Sequence, residues 1–589
     1  IDAIAKQPRG ISNSQLKQNI GNVTSTLKTL ESQHFISRKE NAKLPVNQND
    51  TAIQFSLNTE QERVVEKVWK HADTFESFLL EGITGSGKTE VYIELTERVI
   101  ARKKQVLILI PEIGLTGQFV ERFKKRLDAT IVVLNSSVSA AERKQGWLLA
   151  KHGLADVIIG TRSAVFTPLA RPGLILIDEE HDASYKQQDG LRYHARNIAL
   201  IRAQKLNIPI MMGSATPSLE SLFQVKNNKY QLLELTKRAG GASLPHVECI
   251  DSSQAHPDHG LSQRLLKKIE EHTRLGNQVI LFINRRGFAP VLMCHECQWQ
   301  AKCDHCDARM VVHQHRNILF CHHCGYIQRL VSECPQCQSA SLKSYGQGTE
   351  KIEQHLQILF PDVKVLRIDR DSTQRVNAFN DLVEEINEGE PRILVGTQML
   401  AKGHDFHNVT LVGVLDADQG LYSADFRATE NLAQLITQVT GRAGRGDKSG
   451  EVFIQSEQAE NPFWKKLIQQ GYKKTALALL NDREEMDVPP VSNWIMIRAE
   501  SFEKEQGIAF LSMVSDCLFQ AVSAEILIMG PVPAIMEKKA GRYRAQLLLS
   551  SATRKPLHQL LDRYLPEIEK HKLARKVRWS IDVDPVDIL

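Results

Sequence analysis

The chain has 589 residues, 42% of them hydrophobic and 24% charged, and carries a net charge of +5. That length holds about three to five domains, and a mildly basic balance is compatible with nucleic acid without specifying it. No run approaches the roughly 20 apolar residues of a membrane-spanning helix and no signal peptide is legible, so no membrane partner and a cytoplasmic location are expected.

The first residue is Ile1 rather than Met, from which a missing upstream segment is expected. Residues 11–40 read as two short helices, 14–20 and 25–35, and a basic strand-like end at Ile36-Ser37-Arg38-Lys39. This is similar to part of a winged helix, assigned to residues 1–50, whose second helix can enter a DNA groove. A helical pair with no DNA role fits nearly as well. Polar residues 41–50, with Pro45, read as a linker.

Residues 51–235 hold the stretch around which the chain is organised. An apolar run, Phe78-Leu79-Leu80, enters Gly82-Ile83-Thr84-Gly85-Ser86-Gly87-Lys88-Thr89, and a helix leaves it at Glu90. Glycines let successive backbone N–H groups turn toward an anion, and the helix adds the positive end of its dipole. Lys88 is the candidate for the β/γ-phosphates and Thr89 for Mg²⁺, with Gly82, Thr84, Gly85, Ser86 and Gly87 forming the cradle. Gln61, ahead of the loop, is a candidate for reading adenine through its amide.

Apolar runs then alternate with helical patterns, as a parallel sheet covered on both faces requires. Polar motifs follow the runs: Gly160-Thr161-Arg162-Ser163-Ala164, Asp178-Glu179-Glu180-His181 and Gly213-Ser214-Ala215-Thr216-Pro217. In such sheets ligands gather at the carboxyl ends of strands. Asp178 can reach a metal held by Thr89, and Glu179 can polarise the attacking water. Together these motifs resemble the superfamily 2 helicases. That resemblance implies two RecA-like α/β lobes and makes Arg162 a candidate DNA contact.

The second lobe is expected at 236–292 and 346–488. It includes the loop Asn284-Arg285-Arg286-Gly287, with Arg286 a candidate DNA contact, a stretch similar to helicase motif V at 392–406, and Gln438-Val439-Thr440-Gly441-Arg442-Ala443-Gly444-Arg445, similar to motif VI. Arg442 and Arg445 are the candidates for stabilising charge on a transferring phosphoryl group. Between Tyr185 and Arg196 aromatics interleave with cations. Tyr185, Lys186, Arg192 and Tyr193 offer the stacking faces and charge that a single strand needs, unless the tyrosines pack beneath a loop.

Eight of the ten cysteines form four Cys-x-x-Cys knuckles between Cys294 and Cys337, which favours metal over disulfides and a reducing compartment. Nested zinc sites are expected, Cys303/Cys306 with Cys321/Cys324 inside Cys294/Cys297 with Cys334/Cys337, in an insertion at 293–345. Iron–sulfur ligation is the competing reading. Cys249 and Cys517 read as buried thiols. Beyond Pro489-Pro490, an α+β domain at 489–589 carries a basic loop in which Lys538, Lys539, Arg542 and Arg544 are candidate phosphate contacts.

A helicase core with this insertion resembles the bacterial primosomal replication-restart helicases, the PriA family. The motifs that carry the resemblance are Gly-Ile-Thr-Gly-Ser-Gly-Lys-Thr, Asp-Glu-Glu-His, Tyr-Lys-Gln-Gln, Asn-Arg-Arg-Gly-Phe-Ala-Pro and the eight cysteines. The resemblance implies an ATP- and Mg²⁺-dependent 3′ to 5′ DNA helicase with two Zn²⁺. It also implies binding to stalled forks and single-stranded DNA, and contact with single-stranded-DNA-binding protein and other primosome proteins; a monomer is expected. The family begins with a domain that captures a nascent 3′ end, and that domain is expected to belong to the missing upstream segment. Rival readings are a duplex-DNA translocase, a zinc-bearing loader scaffold with a nucleotide switch, and an RNA helicase.

Overall fold

The computed structural model describes residues 24–32, 56–111, 117–136, 138–238, 245–252, 260–284, 291–294, 296–297, 299–313, 318–321, 324–345, 349–368, 378–397, 400, 406, 408–421, 423, 425–444, 448–520 and 525–587. Of the expected winged helix only Thr24–Ser32, a helix, is among them. The rest of that unit, the linker, Arg286, Arg445 and residues 398, 399 and 401–405 of motif V lie outside the described residues.

The first lobe is built on β1 (Ser77–Gly82), β2 (Gln105–Leu109), β3 (Ile131–Leu134), β4 (Val157–Gly160), β5 (Pro172–Asp178), β6 (Ile210–Ser214) and β7 (Gln231–Leu235). They form one parallel sheet in the order β3-β4-β2-β5-β6-β1-β7. Such strands have no polar face, so alternate residues feed two cores: Leu107 and Leu109 on one side, Val106 and Ile108 on the other.

The second lobe repeats the plan with β8 (His246–Asp251), β9 (Gln278–Ile283), β15 (Lys364–Ile368), β16 (Arg392–Gly396), β17 (Val409–Leu415) and β18 (Glu451–Ser456), parallel in the order β15-β16-β9-β17-β18-β8. Between β9 and β15 sits a small antiparallel unit of β10 (Val291–Cys294), β11 (Val311–His313), β12 (Ile318–Phe320), β13 (Ile327–Arg329) and β14 (Leu342–Tyr345). One core spans both lobes, since Leu79 and Ile177 share a cluster with Phe282, Val412 and Trp464.

Helix Pro462–Glu485 leaves the second lobe and kinks at Gly471, where φ is 76°. The kink delivers the Tyr472 hydroxyl to the carbonyl of Pro217 at 2.6 Å. Beyond it, β19 (Asn493–Ser501), β20 (Ile526–Lys539), β21 (Arg542–Ser551) and β22 (Arg578–Val583) form an antiparallel sheet in the order β20-β21-β19-β22. Helices Lys504–Phe519 and Arg554–Lys570 supply its core. The architecture is therefore the expected one: two RecA-like lobes, a cysteine-rich insertion and a C-terminal α+β unit. No described helix is long and apolar enough to cross a membrane. Cys249 and Cys517 are half-buried rather than buried; Cys249 packs against the edge of the inter-lobe core.

Candidate functional site

The turn after β1 is shaped for an anion. Gly85 and Gly87 both take φ near 81°, a left-handed conformation that a side chain would strain. A Cβ on Gly82 would come within 2.7 Å of Ser86 Oγ and 3.0 Å of Lys88 Cγ, so a side chain there would displace both. Helix Lys88–Ala101 starts here with no side-chain cap, leaving its first N–H groups turned toward the loop. The buried Ser86 hydroxyl has no hydrogen-bond partner among the described residues, and Lys88 Nζ donates to the carbonyl of Gly82 at 3.0 Å. Gln61 spends both ends of its amide locally: Oε1 accepts from the N–H of Asn58 at 2.9 Å and Nε2 donates to the carbonyl of Ser86 at 3.0 Å. It ties helix Thr59–Trp69 to the loop, and one Oε1 lone pair and one Nε2 N–H remain for the expected contact with adenine.

Asp178 ends β5 beside this loop and accepts from the Tyr92 hydroxyl at 2.9 Å. Burial, and then the charge of Glu179, push its carboxyl up to about 6 against the pull of Lys88 and Tyr92. Glu179 adopts φ of 45°, which turns its side chain out of the strand direction, and its buried Oε2 has no hydrogen-bond partner among the described residues. A divalent cation held by Thr89 and Asp178 would neutralise phosphate charge, and the Glu179 oxygen, 3.6 Å from His181 Nδ1 and free to accept a hydrogen bond, suits a water-orienting role.

The second lobe closes on this site. A Cβ on Gly441 would lie 2.5 Å from Thr84 Oγ1, so motif VI packs against the phosphate loop. Burial lowers the Arg442 guanidinium to about 10, partly offset by Glu179, which still leaves it charged at neutral pH. His181 bridges the lobes: its Nε2 is 2.7 Å from the Gln438 amide nitrogen and its Nδ1 is 2.7 Å from Ser214 Oγ. An amide N–H donating to Nε2 leaves the proton on Nδ1, which donates to Ser214. Glu180 does not face the nucleotide. It is fully buried, pairs with Arg196 at 2.6 Å and accepts from the Ser218 N–H at 2.7 Å, fixing the 213–217 loop.

The cysteines assemble as two sets, Cys294/Cys297/Cys334/Cys337 and Cys303/Cys306/Cys321/Cys324, with all sulfurs of a set within 4.8 Å of one another. Sulfur separations of 3.5 Å for Cys294–Cys337 and Cys297–Cys334, and 3.6 Å for Cys303–Cys324, are close to the roughly 3.8 Å edge of a tetrahedron with Zn–S near 2.3 Å. The donor set is all thiolate and leaves no open position, so two structural zinc ions fit and the nested pairing expected from spacing is what the fold brings together.

The candidate DNA contacts fare differently. Tyr185 is fully buried and its hydroxyl donates to the Asp178 carbonyl at 2.7 Å, so it offers no stacking face. Lys186 is 2% exposed and bound to Asp582 and Val583 of β22. The expected stacking face on Tyr185 is corrected, since its ring is buried beneath the loop; Lys186 is occupied inside the protein in this DNA-free arrangement. Arg192 also reaches Asp582, at 3.5 Å, and Arg162 donates to the carbonyls of Ser184 and Lys186 at 2.8 and 2.9 Å, bracing the loop from below. Tyr193 is half-buried edge-on to Phe166, itself exposed. In the basic loop the N–H groups of Ala540 and Gly541 donate to Cys306 Sγ and the His305 carbonyl, at 3.1 and 2.7 Å. Arg542 stacks on Phe502 at 4.0 Å and Arg544 reaches the Met536 carbonyl, while Lys538 donates to the Asp304 carbonyl; Lys539 is exposed.

Four family models match parts of this chain. They are described as DEAD/DEAH box helicase over 58–225, Helicase conserved C-terminal domain over 340–447, PriA DNA helicase Cys-rich region domain over 303–329 and Primosomal protein N C-terminal domain over 484–586. The replication restart protein PriA of Haemophilus influenzae is 46% identical over 534 residues, covering 90% of this chain and 73% of that protein. The chain belongs to the PriA family. The Bacillus subtilis PriA is 36% identical over 534 residues, covering 90% of this chain and 66% of its own length. The Rickettsia conorii PriA is 38% identical over 514 residues, covering 86% and 78%.

Several residues that shape this PriA-family site escaped sequence reasoning. Tyr92 sits one turn along the helix that follows the loop and gives no motif signal. Gly213 was legible only as part of a motif, yet its missing Cβ is the gap through which the Tyr92 hydroxyl passes, 1.8 Å from where that carbon would lie. Glu430 is buried between lobes, accepting from the Leu219 N–H at 2.9 Å and pairing with Arg483. Asp582, near the far end of the chain, had no signal at all.

Proposed function

We propose that this chain is an ATP-dependent DNA helicase that moves 3′ to 5′ along single-stranded DNA, binds and remodels stalled or abandoned replication forks, and begins primosome assembly for replication restart. The observation that carries this reading is the meeting of Gly441 and Arg442 from the second lobe with Thr84 and Glu179 of the first, in a chain of the PriA family. Lys88 would leave the Gly82 carbonyl for phosphate, Thr89 and Asp178 would hold Mg²⁺, Glu179 would orient water, and Arg442, with Arg445, would stabilise charge on the transferring group. Because His181 joins Ser214 to Gln438, loss of the γ-phosphate would alter the grip between lobes and so the hold on the strand.

The closed zinc unit would serve contacts with DNA, single-stranded-DNA-binding protein and other primosome proteins rather than chemistry. The protein would act in the cytoplasm as a monomer. The test is DNA-stimulated ATP hydrolysis with strand displacement on a model fork, run beside Lys88→Ala. Turnover and strand separation in the wild type, both lost in Lys88→Ala, are the expected result. ATP turnover with strands left paired would favour a duplex translocase, absence of turnover a scaffold, and stronger stimulation by RNA an RNA helicase.

A further inference from the structure

The loop after the catalytic carboxylates is a small hairpin whose base is held by the C-terminal unit. Lys186 and His194 form an isolated bridge, the Gln187 N–H donates to the Tyr193 carbonyl at 2.8 Å, and Leu191 at the tip is 74% exposed. The flanking cations both turn to one carboxylate nearly 400 residues away: Lys186 Nζ lies 2.8 Å from Asp582 Oδ1 and 2.6 Å from the Val583 carbonyl, and Arg192 Nη1 lies 3.5 Å from Asp582 Oδ2. Arg498 completes the group at 2.7 Å. A lysine ammonium is costly to bury unless paired, so this site exists only while Asp582 occupies it.

The cluster is connected to the chemistry. Tyr185, next to Lys186, bonds the Asp178 carbonyl, and Arg162 grips the carbonyls on either side of Tyr185. Movement of Lys186 therefore pulls on the backbone of the candidate magnesium ligand. β22 is the edge strand of its sheet and, among the described strands, pairs with β19 alone, so the hairpin meets it on the open side.

We propose that Asp582 and the Val583 carbonyl form an autoinhibitory clamp, an internal stand-in for the DNA backbone that holds the 185–194 hairpin at rest until phosphodiesters of a single strand take Lys186 and Arg192 from it. A carboxylate oxygen and a phosphodiester oxygen offer these cations the same charge-assisted hydrogen bonds, so the exchange loses no pairing. This rests on the reading of the chain as a DNA-stimulated ATPase. It goes further by naming what keeps the enzyme idle without DNA.

The test compares full-length wild type, Asp582→Asn and Asp582→Glu for ATP hydrolysis with and without a single-stranded oligonucleotide. Asp582→Asn is expected to raise the DNA-free rate by at least about fivefold, the low end of ordinary couplings, and to lower the oligonucleotide concentration needed for half stimulation, while Asp582→Glu restores DNA dependence. An unchanged or reduced DNA-free rate beside a normal stimulated rate overturns the clamp. Because Asp582→Asn also removes the partner of Arg498 within its own domain, hydrogen exchange of wild-type protein supplies a second arm. Exchange in 183–194 and 578–583 is expected to quicken when the oligonucleotide is added, and slower or unchanged exchange overturns the proposal. A wild type that turns over ATP without regard to DNA would instead refute the proposed function, and the two failures are thereby distinguished.

Discussion

The Tyr92 hydroxyl reaches Asp178 at 2.9 Å through a gap in β6 that exists because residue 213 is glycine. The bond stabilises the ionised form of a carboxyl that burial has pushed up to about 6. Tyr92→Phe removes only the hydroxyl. A hydrogen bond to a charged group is worth about 1.5–3 kcal/mol, so the Mg²⁺ concentration for half-maximal ATP hydrolysis should rise about tenfold or more, read from a magnesium titration. Gly213→Ala should give the same defect together with a loss of about 1–3 kcal/mol in stability, because Tyr92 must move out of its buried place.

His181 reads both lobes, and Gln438 is its contact on the second. Gln438→Ala leaves Nε2 buried without that donor, at a cost of about 1–3 kcal/mol, while Lys88, Asp178 and Glu179 stay in place. The expected outcome is a helicase that still hydrolyses ATP on DNA but separates fewer base pairs per ATP. The ratio of strand displacement to phosphate release measures it, and a proportional fall in both would remove His181 from the coupling.

Much of this was legible because the relevant signals are local. The glycine-rich turn after β1, the carboxylates ending β5 and the knuckle spacings each specify their chemistry within a few residues, and continuous apolar runs such as 106–110 announce buried parallel strands. What the sequence hid was the long-range pairing of charges. Tyr185 and Lys186 interleave aromatic and cation as a DNA-binding loop does, and the same pattern serves a residue that must hang beneath a backbone and one that must meet a carboxylate in another domain. No periodicity connects Lys186 with Asp582. At the basic loop 538–544 the sequence likewise hid a long-range contact, for its backbone N–H groups, invisible in composition, dock on a zinc knuckle.

That docking ties metal content to domain contact. The Ala540 N–H donates to Cys306 Sγ, the Gly541 N–H to the His305 carbonyl, the Asp307 N–H to the Lys538 carbonyl, and the Lys538 N–H to the Asp307 carboxylate, all at one knuckle. Structural zinc sites fold with their metal, so stripping zinc from the intact chain should undo this seam. Elemental analysis is expected to return two zinc ions per chain. After chelation, hydrogen exchange should quicken at 538–541 as well as through the insertion. Protection that persists at 538–541 in zinc-free protein would show that the seam holds by itself.

The Asp582 cluster gives a prediction in pH. Burial opposes the charge on Asp582, whose side chain is 6% exposed, but Lys186 and Arg498 outweigh it and hold the carboxyl below its ordinary 3.8. A depressed carboxyl favours the folded state fully above its unfolded value and loses that contribution as pH falls through the folded one. The melting temperature of wild type should therefore exceed that of Asp582→Asn by a constant margin between about pH 8 and pH 5, and the margin should shrink below about pH 4 and vanish once both states are protonated. Thermal melts of the two proteins across this range measure it. A margin that closed between pH 7 and pH 5 would mean that the carboxylate is not held by Lys186 and Arg498, since a carboxyl free of them, buried as it is, would protonate in that window.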